Sequence, residues 1–285
     1  MFNLIKMDVY RLLHSVSTWI MMGVMAVIAV FCVWATSSDL SAMAEDPSYL
    51  EPQTAAEEDS GVQYGIIMDT DPTWINGDIP ANQLLELLLN SGILMIFCAV
   101  FVSLFVGAEH RSGYLKNIAG QLPGRGLLAP SKFSAIAVEV LRMFLLYAVF
   151  CTAAGFAFFG SRFALGSFTE LFKTLGTQYL LHLGYSALIM LLCMATGSSA
   201  FSIAAGILGC SGLTGFLYSG INWMIQQINP GSSFDFGTYM LDTIVYAIGS
   251  GSPANDILRA VLVACIFTVL SVGLSALVMQ KRDVK

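Results

Sequence analysis

At 285 residues, 56% hydrophobic and only 11% charged, with a mean hydropathy of +0.73, the chain is too apolar for a water-soluble domain, whose charged share is about 25%. Its thirteen Lys and Arg are too few and too scattered for a nucleic-acid surface, and the net charge of −6 is unevenly placed. Ten of the nineteen acidic residues fall between Asp39 and Asp78, and no Lys or Arg lies between Arg11 and Arg111, which puts the acidic stretch on one side of a membrane.

In chain order, the first fourteen residues set Phe2, Ile5, Val9 and Leu12 at helical spacing, with Lys6 and Arg11 available to the other side. The expectation over 1–16 is a helix lying on the inner leaflet, the alternative being a plain extension of the first span. No small-residue cleavage pattern follows the first apolar run, so it reads as a retained helix rather than a signal peptide. Spans of about 20 apolar residues are expected at 17–37, 84–108, 134–160, 175–196, 199–219 and 257–279. The 45 uncharged residues from 175 to 219 would make a straight helix about 67 Å long, roughly twice the hydrocarbon thickness, so they are cut near Thr196-Gly197-Ser198-Ser199. The fold class expected is an all-α polytopic membrane protein of six spans.

Nine of the thirteen basic residues, among them Lys6, Arg11, Arg111, Lys116, Arg125 and Lys132, then share one side, which the positive-inside rule makes the cytoplasm. Both termini and the loop 109–132 are expected inside; the acidic loop 38–83 and the segment 220–256 are expected outside. Trp19 and Trp34 stand as interfacial anchors near the two ends of the first span. In 220–256, apolar stretches flank Asn229-Pro230-Gly231, each too short to cross; they form either a re-entrant pair of amphipathic helices or a surface loop.

Little in the chain carries chemistry. Glu139 and Arg142 are spaced to pair on one helical face near the inner boundary. His182 is a lone histidine on an apolar helix, read as a hydrogen-bonded packing residue, and the three histidines have no metal-ligand spacing. All six cysteines fall in apolar runs, as small core hydrophobes do. The segment Gly120 to Gly126 lacks the Lys-hydroxyl pair of a phosphate loop, and no GxSxG elbow or HExxH pair occurs, so an enzyme is not expected. The fifth span is rich in small residues, including Gly206, Gly209, Ser211 and Gly212, which suit close helix packing within one chain or between two.

The order of these parts, with the inner run Glu109, Arg111, Ser112-Gly113, Leu115-Lys116-Asn117, Arg125 and Lys132 and the ending Lys281-Arg282-Asp283, resembles the permease subunit of ABC-2 type exporters, the type V exporter fold. The loop is similar to the family's loose E-x-R-x-G-T-L-K-N … P-x-S-R … K pattern, departing from it at Tyr114 and Gly124. The resemblance covers the whole chain. It implies that a short coupling helix (Glu109, Arg111, Gly113, Leu115, Lys116, Asn117, with Arg125 beyond it) docks on a separate ABC ATPase that holds ATP and Mg; no cofactor is expected in this chain. It also implies a second permease, identical or related, and a translocation path or permease interface along spans two and five, where Asn90, Ser103, Gly206, Gly209, Ser211 and Gly212 sit. The substrate class is an amphiphile: an antimicrobial peptide, a lipid or a hydrophobic drug. Length and span number are similar to those of immunity permeases that expel lantibiotics, in a bacterial plasma membrane. Glu57, Glu58 and Asp59 in the outer loop either attract cationic substrate or simply keep the loop outside and soluble. The rivals are an ATP-independent secondary transporter and a non-transporting scaffold.

Overall fold

The computed structural model describes residues 2–45, 70–111, 124–229, 231, 234–249 and 251–281. Four helices are each long and apolar enough to cross a membrane: α2 (Val16–Glu45), α5 (Leu128–Phe159), α6 (Phe168–Thr196) and α10 (Ala254–Lys281). Two bent pairs reach that length only together: α3 (Ala81–Asn90) with α4 (Ile93–Arg111), bent by 53°, and α7 (Ser199–Cys210) with α8 (Thr214–Ile228), bent by 69°. The count is therefore four, or six if each bent pair is one span. A separate helix α1 (Phe2–His14) precedes α2, and α9 (Leu241–Ala247) precedes α10.

Several boundaries differ from the sequence expectation for identifiable reasons. Helix α2 runs past residue 37 into the acidic stretch because Thr36, Ser38 and Ser41 donate their hydroxyls to carbonyls one turn back (3.0, 3.1 and 3.0 Å), leaving no group that competes for the helix backbone. Helix α5 starts at Leu128 rather than 134 because Pro130 falls in its first turn, where a missing N–H costs nothing. Helix α6 starts at Phe168 rather than 175: Ser167 caps it by accepting from the Glu170 N–H at 3.5 Å, the first half of a capping box. It ends at Gly197, whose φ of 71° is the left-handed terminator, so the cut expected near 196–199 is where the chain turns.

The spans expected at 84–108 and 199–219 are each bent into two helices. Gly92 (φ 75°) breaks the first, and the Tyr246 hydroxyl packs where a Gly92 Cβ would stand, 2.6 Å away. Gly212 (φ 75°) breaks the second, and α8 then carries on to Ile228, through the boundary expected at 219.

Helix α10 lies along α6, and α4 packs against both α6 and α7. Small residues set the closest approaches: Gly184 of α6 lies against the Ala264 backbone of α10, and a Cβ on Gly107 or Gly206 of the α4–α7 pair would come within 2.5 Å of the Ser199 Cβ or 2.7 Å of the Ala99 Cβ. Since these pairs bring the C-terminal end of α4 to the start of α7, the two helices run antiparallel. Gly206→Ala should therefore wedge them apart and cost about 1–3 kcal/mol, as overpacking does; a lowered unfolding midpoint in detergent is the readout, and an unchanged one would show that α7 can slide.

At the opposite end, two-residue strands pair in parallel, β1 (Ile79–Pro80) on β2 (Phe163–Ala164). Arg162 locks this junction by donating to the Trp74, Ile75 and Gly77 carbonyls, and Asn82 Nδ2 donates to Glu170 Oε2 at 3.3 Å. The foot of the acidic loop is thus clamped to the turn between α5 and α6.

Candidate functional site

Two polar constellations stand out from the apolar bundle. The first joins α1 to the helices that flank the loop 112–123. Asp8 sits on the buried side of α1 and accepts from Lys132 Nζ of α5 at 2.5 Å, with both side chains nearly inaccessible (1% and 2%). The Arg11 guanidinium lies 3.9 Å from the same oxygen. Arg11 and Lys132 also stand over the Phe105 ring of α4, 5.1 and 5.4 Å from its centroid, so three helices meet at one charged, aromatic node. On the far side of the loop a 3-10 turn (Arg125–Leu127) buries Gly126 against the Gln280 side chain near the end of α10.

Both ends of the loop are thereby tied in, one through α4 to α1 and the other to α10. Glu109 and Arg111 occupy the last turn of α4, and Arg125 is exposed in the 3-10 turn. Gly113, Leu115, Lys116 and Asn117, like Glu57, Glu58 and Asp59 of the acidic stretch, lie outside the described residues. At the elbow between α1 and α2 a cavity of about 320 Å³ is lined by Arg11, Ser15 and Ser17 together with Met21, Phe101 and Leu104, a mixed lining suited to an amphiphile. The pair expected between Glu139 and Arg142 forms at 2.6 Å, and Arg142 stands over the Trp19 ring at 5.1 Å in the first turn of α2.

The second constellation surrounds the break after Cys210. A helix end leaves carbonyls without partners: the Tyr246 hydroxyl donates to that of Cys210, and one turn earlier Tyr185 Oη donates to the Gly206 carbonyl at 2.6 Å. Thr214, Tyr218 and Asn222 follow at four-residue intervals on one face of α8. The first two donate to Asp242, Tyr218 at 2.9 Å to either oxygen, and Asn222 donates to Asp235. Asp242 is only 7% exposed. Two carboxylates thus hold α8 to the turn and helix that follow it.

Hydrogen bonds, first from Thr238 and then from Asn222 and the Gly237 N–H, hold the Asp235 carboxyl below its ordinary pKa of 3.8. A lowered folded value means that this contribution to stability is present above the ordinary pKa and is lost as pH falls through the lowered one. Asp242→Ala strands the Thr214 and Tyr218 hydroxyls at a cost of about 1–3 kcal/mol for each left unsatisfied. Asp242→Asn, which keeps an acceptor, should fall between that variant and the wild type in a thermal melt; equal midpoints for all three would mean that solvent already reaches the hydroxyls.

The residues expected along a translocation path or a permease interface lie on α3, α4, α7 and the turn that follows α7. Asn90 accepts from Gln178 Nε2 at 2.7 Å, and Ser103 is buried with Cys193 Sγ 3.7 Å from its carbonyl. Gly206 packs on Ala99 and Ile189, Gly209 on Tyr185, and Ser211 Oγ donates to the Leu208 carbonyl at 2.8 Å. The small residues of α7 therefore serve packing within the chain. The opposite side of α7 and α8 exposes Phe201, Leu208, Phe216, Leu217 and Trp223. Asp242, Tyr185 and Tyr218 were not singled out in the sequence; the four-residue spacing of Thr214, Tyr218 and Asn222 was the signal that points to them.

No protein-family model matches the chain, and no curated protein matches it. Fold and composition define its class: an α-helical membrane protein with several helices long and apolar enough to cross a bilayer.

Proposed function

We propose that the chain is the membrane-spanning permease subunit of an ATP-driven exporter of the ABC-2 type, powered by separate ATPase subunits that bind ATP and Mg. The supporting observation is the node of Asp8, Lys132, Arg11 and Phe105, taken with the seat of Gly126 on Gln280. A partner that pushes on the loop 109–132 pushes on α4 and α5 directly, on α1 through a buried ion pair, and on α10 through a tight contact. A loop that only satisfied the positive-inside rule has no need of such bracing. Helix α1 then lies along the inner leaflet with both termini in the bacterial cytoplasm, and the six-span count applies.

A second permease, the same chain or a related one, covers the exposed apolar face of α7 and α8, and the transport path runs along that face. The elbow cavity, mostly apolar with Arg11, Ser15, Ser17 and Thr18 as its polar lining, favours an amphiphilic substrate such as an antimicrobial peptide, a lipid or a hydrophobic drug. The test is a tagged pull-down from native membranes in mild detergent, with mass spectrometry of what stays bound. A stoichiometric ABC ATPase is the expected companion. Recovery of this chain alone, even with ATP trapped, would overturn the proposal and bring the secondary transporter or scaffold forward.

A further inference from the structure

Helix α6 carries a polar residue at every fourth position over its first two thirds: Glu170, Thr174, Gln178, His182 and Ser186. Four-residue spacing places them along one ridge of the helix, and sixteen residues advance it by about 24 Å. Glu170 is exposed, whereas Thr174 is 3% exposed and Gln178, His182 and Ser186 are wholly inaccessible. The ridge continues as Met190 and Met194, both buried and apolar.

Each buried member of the ridge has a polar atom that the protein leaves unserved. Thr174 Oγ1, Gln178 Oε1 and His182 Nε2 have no hydrogen-bond partner among the described residues, and Ser186 Oγ has only the Cys98 thiol beside it. The hydrogen-bond chemistry fixes what is missing. His182 Nδ1 lies 2.8 Å from the Gln178 carbonyl, which can only accept, so Nδ1 carries the hydrogen and Nε2 presents a lone pair. Gln178 Nε2 faces three oxygens, Asn90 Oδ1 and the Val245 and Ile248 carbonyls at 2.7 to 3.2 Å, which sets the amide so that Oε1 is an acceptor as well. Adjacent turns therefore present two acceptors to the same interior, with a hydroxyl at either end. Both acceptors require a donor.

Water is the ligand that fits. Side chains four residues apart on a helix have Cβ atoms about 5–6 Å apart, close enough for their polar ends to share hydrogen-bonded water, and a buried water needs two to four polar partners. The outer end of the ridge continues the pattern, since Asn82 donates to Glu170 while its own Oδ1 is buried without a partner. We propose that this ridge is a hydrated half-channel: a file of water that enters at Glu170 and Asn82, runs past Thr174, Gln178 and His182, and ends blind at Ser186 against Met190. It brings solvent to a histidine in the middle of an apolar bundle from one face of the membrane only. The proposal stands whether or not an ATPase drives the chain.

The chain has three histidines, His14, His110 and His182, so ring nitrogens are separable in a solid-state NMR spectrum of the full chain labelled with 15N-histidine in lipid bilayers; loss of one signal set in His182→Gln identifies it. The expected result is a His182 ring whose unprotonated nitrogen is Nε2 and which receives magnetisation from water in a water-edited experiment. Thr174→Leu, which places an apolar group across the entrance, should abolish that transfer and leave the water contact of His14 unchanged. Ser186→Ala, at the blind end, should retain it. A dry His182 in the wild-type chain, a ring protonated at Nε2 instead, or transfer that survives Thr174→Leu would each overturn the proposal, and the first two are read on the wild-type chain once His182→Gln has assigned the signal.

Discussion

Lys132→Met should free α1 from the bundle and cost the folded chain about 3–5 kcal/mol, the penalty for stranding one member of a buried ion pair. Asp8 is 1% exposed and bonded to Lys132 at 2.5 Å, so the substitution leaves a carboxylate away from water. Arg11 softens the loss, because its guanidinium is already 3.9 Å from the same oxygen, but its side chain is 40% exposed and its hold on Asp8 is correspondingly screened. The effect therefore belongs toward the lower end of that range. Adding Asp8→Asn to Lys132→Met removes the stranded charge and should recover a large part of the stability. The double variant separates the cost of a lone buried charge from the value of the pair. Unfolding midpoints of the wild type, the two single variants Lys132→Met and Asp8→Asn, and the double variant in one detergent, with limited proteolysis of α1, provide the cycle. If the single variant melts with the wild type and α1 stays protected, Asp8 is solvated and the node is not a mechanical joint.

What the sequence made visible follows from which signals are local. Long apolar runs with few charges disclosed α2, α5, α6 and α10, and the helical spacing of Phe2, Ile5, Val9 and Leu12 disclosed α1 before any contact was known. The turn at 196–199 followed from length alone, since 45 uncharged residues exceed what one bilayer crossing holds. The Glu139–Arg142 pair is three residues apart in sequence and forms as its spacing requires. Breaks were harder to see. Ser91-Gly92 and Ser211-Gly212 are small and uncharged, so they pass through a hydropathy window unnoticed, while the backbone turns there because glycine alone adopts their positive φ without strain.

Partners distant in sequence were invisible. Asp8 and Lys132 are separated by 124 positions, and nothing in either neighbourhood announces the other. Asp242 is one acid among several in the sequence, and folding sets two hydroxyls of α8 on it. The ridge of α6 was hidden by averaging: Thr174, Gln178 and Ser186 carry no charge, and His182 in isolation is an ordinary packing histidine. Only the burial of all four, together with the carbonyls that fix the Gln178 and His182 orientations, distinguishes a polar file from scattered tolerance.

Charge reversal at the loop, Arg111→Glu with Lys116→Glu, should abolish co-purification of an ABC ATPase while leaving the unfolding midpoint of the chain close to that of the wild type. Arg111 ends α4, and Lys116 follows in the segment for which the resemblance implies the docking helix. Opposed charges at a protein interface govern both encounter and dwell time, and reversing two of them turns attraction into repulsion. A hundredfold weakening corresponds to about 2.8 kcal/mol of association, enough to lose a partner during washing in mild detergent. The contrast with Lys132→Met gives the experiment its force. That variant alters a buried joint and should lower stability; the double reversal changes the loop's charge and should lower only association, more so at low salt than at high, since exposed charges are screened. Unchanged binding of the ATPase by a folded double variant would remove these two charges from the contact. Loss of binding by both variants, with only Lys132→Met destabilised, would mean that docking also requires α1 in place, which makes the Asp8–Lys132 pair part of the route by which a load on the loop reaches the membrane helices.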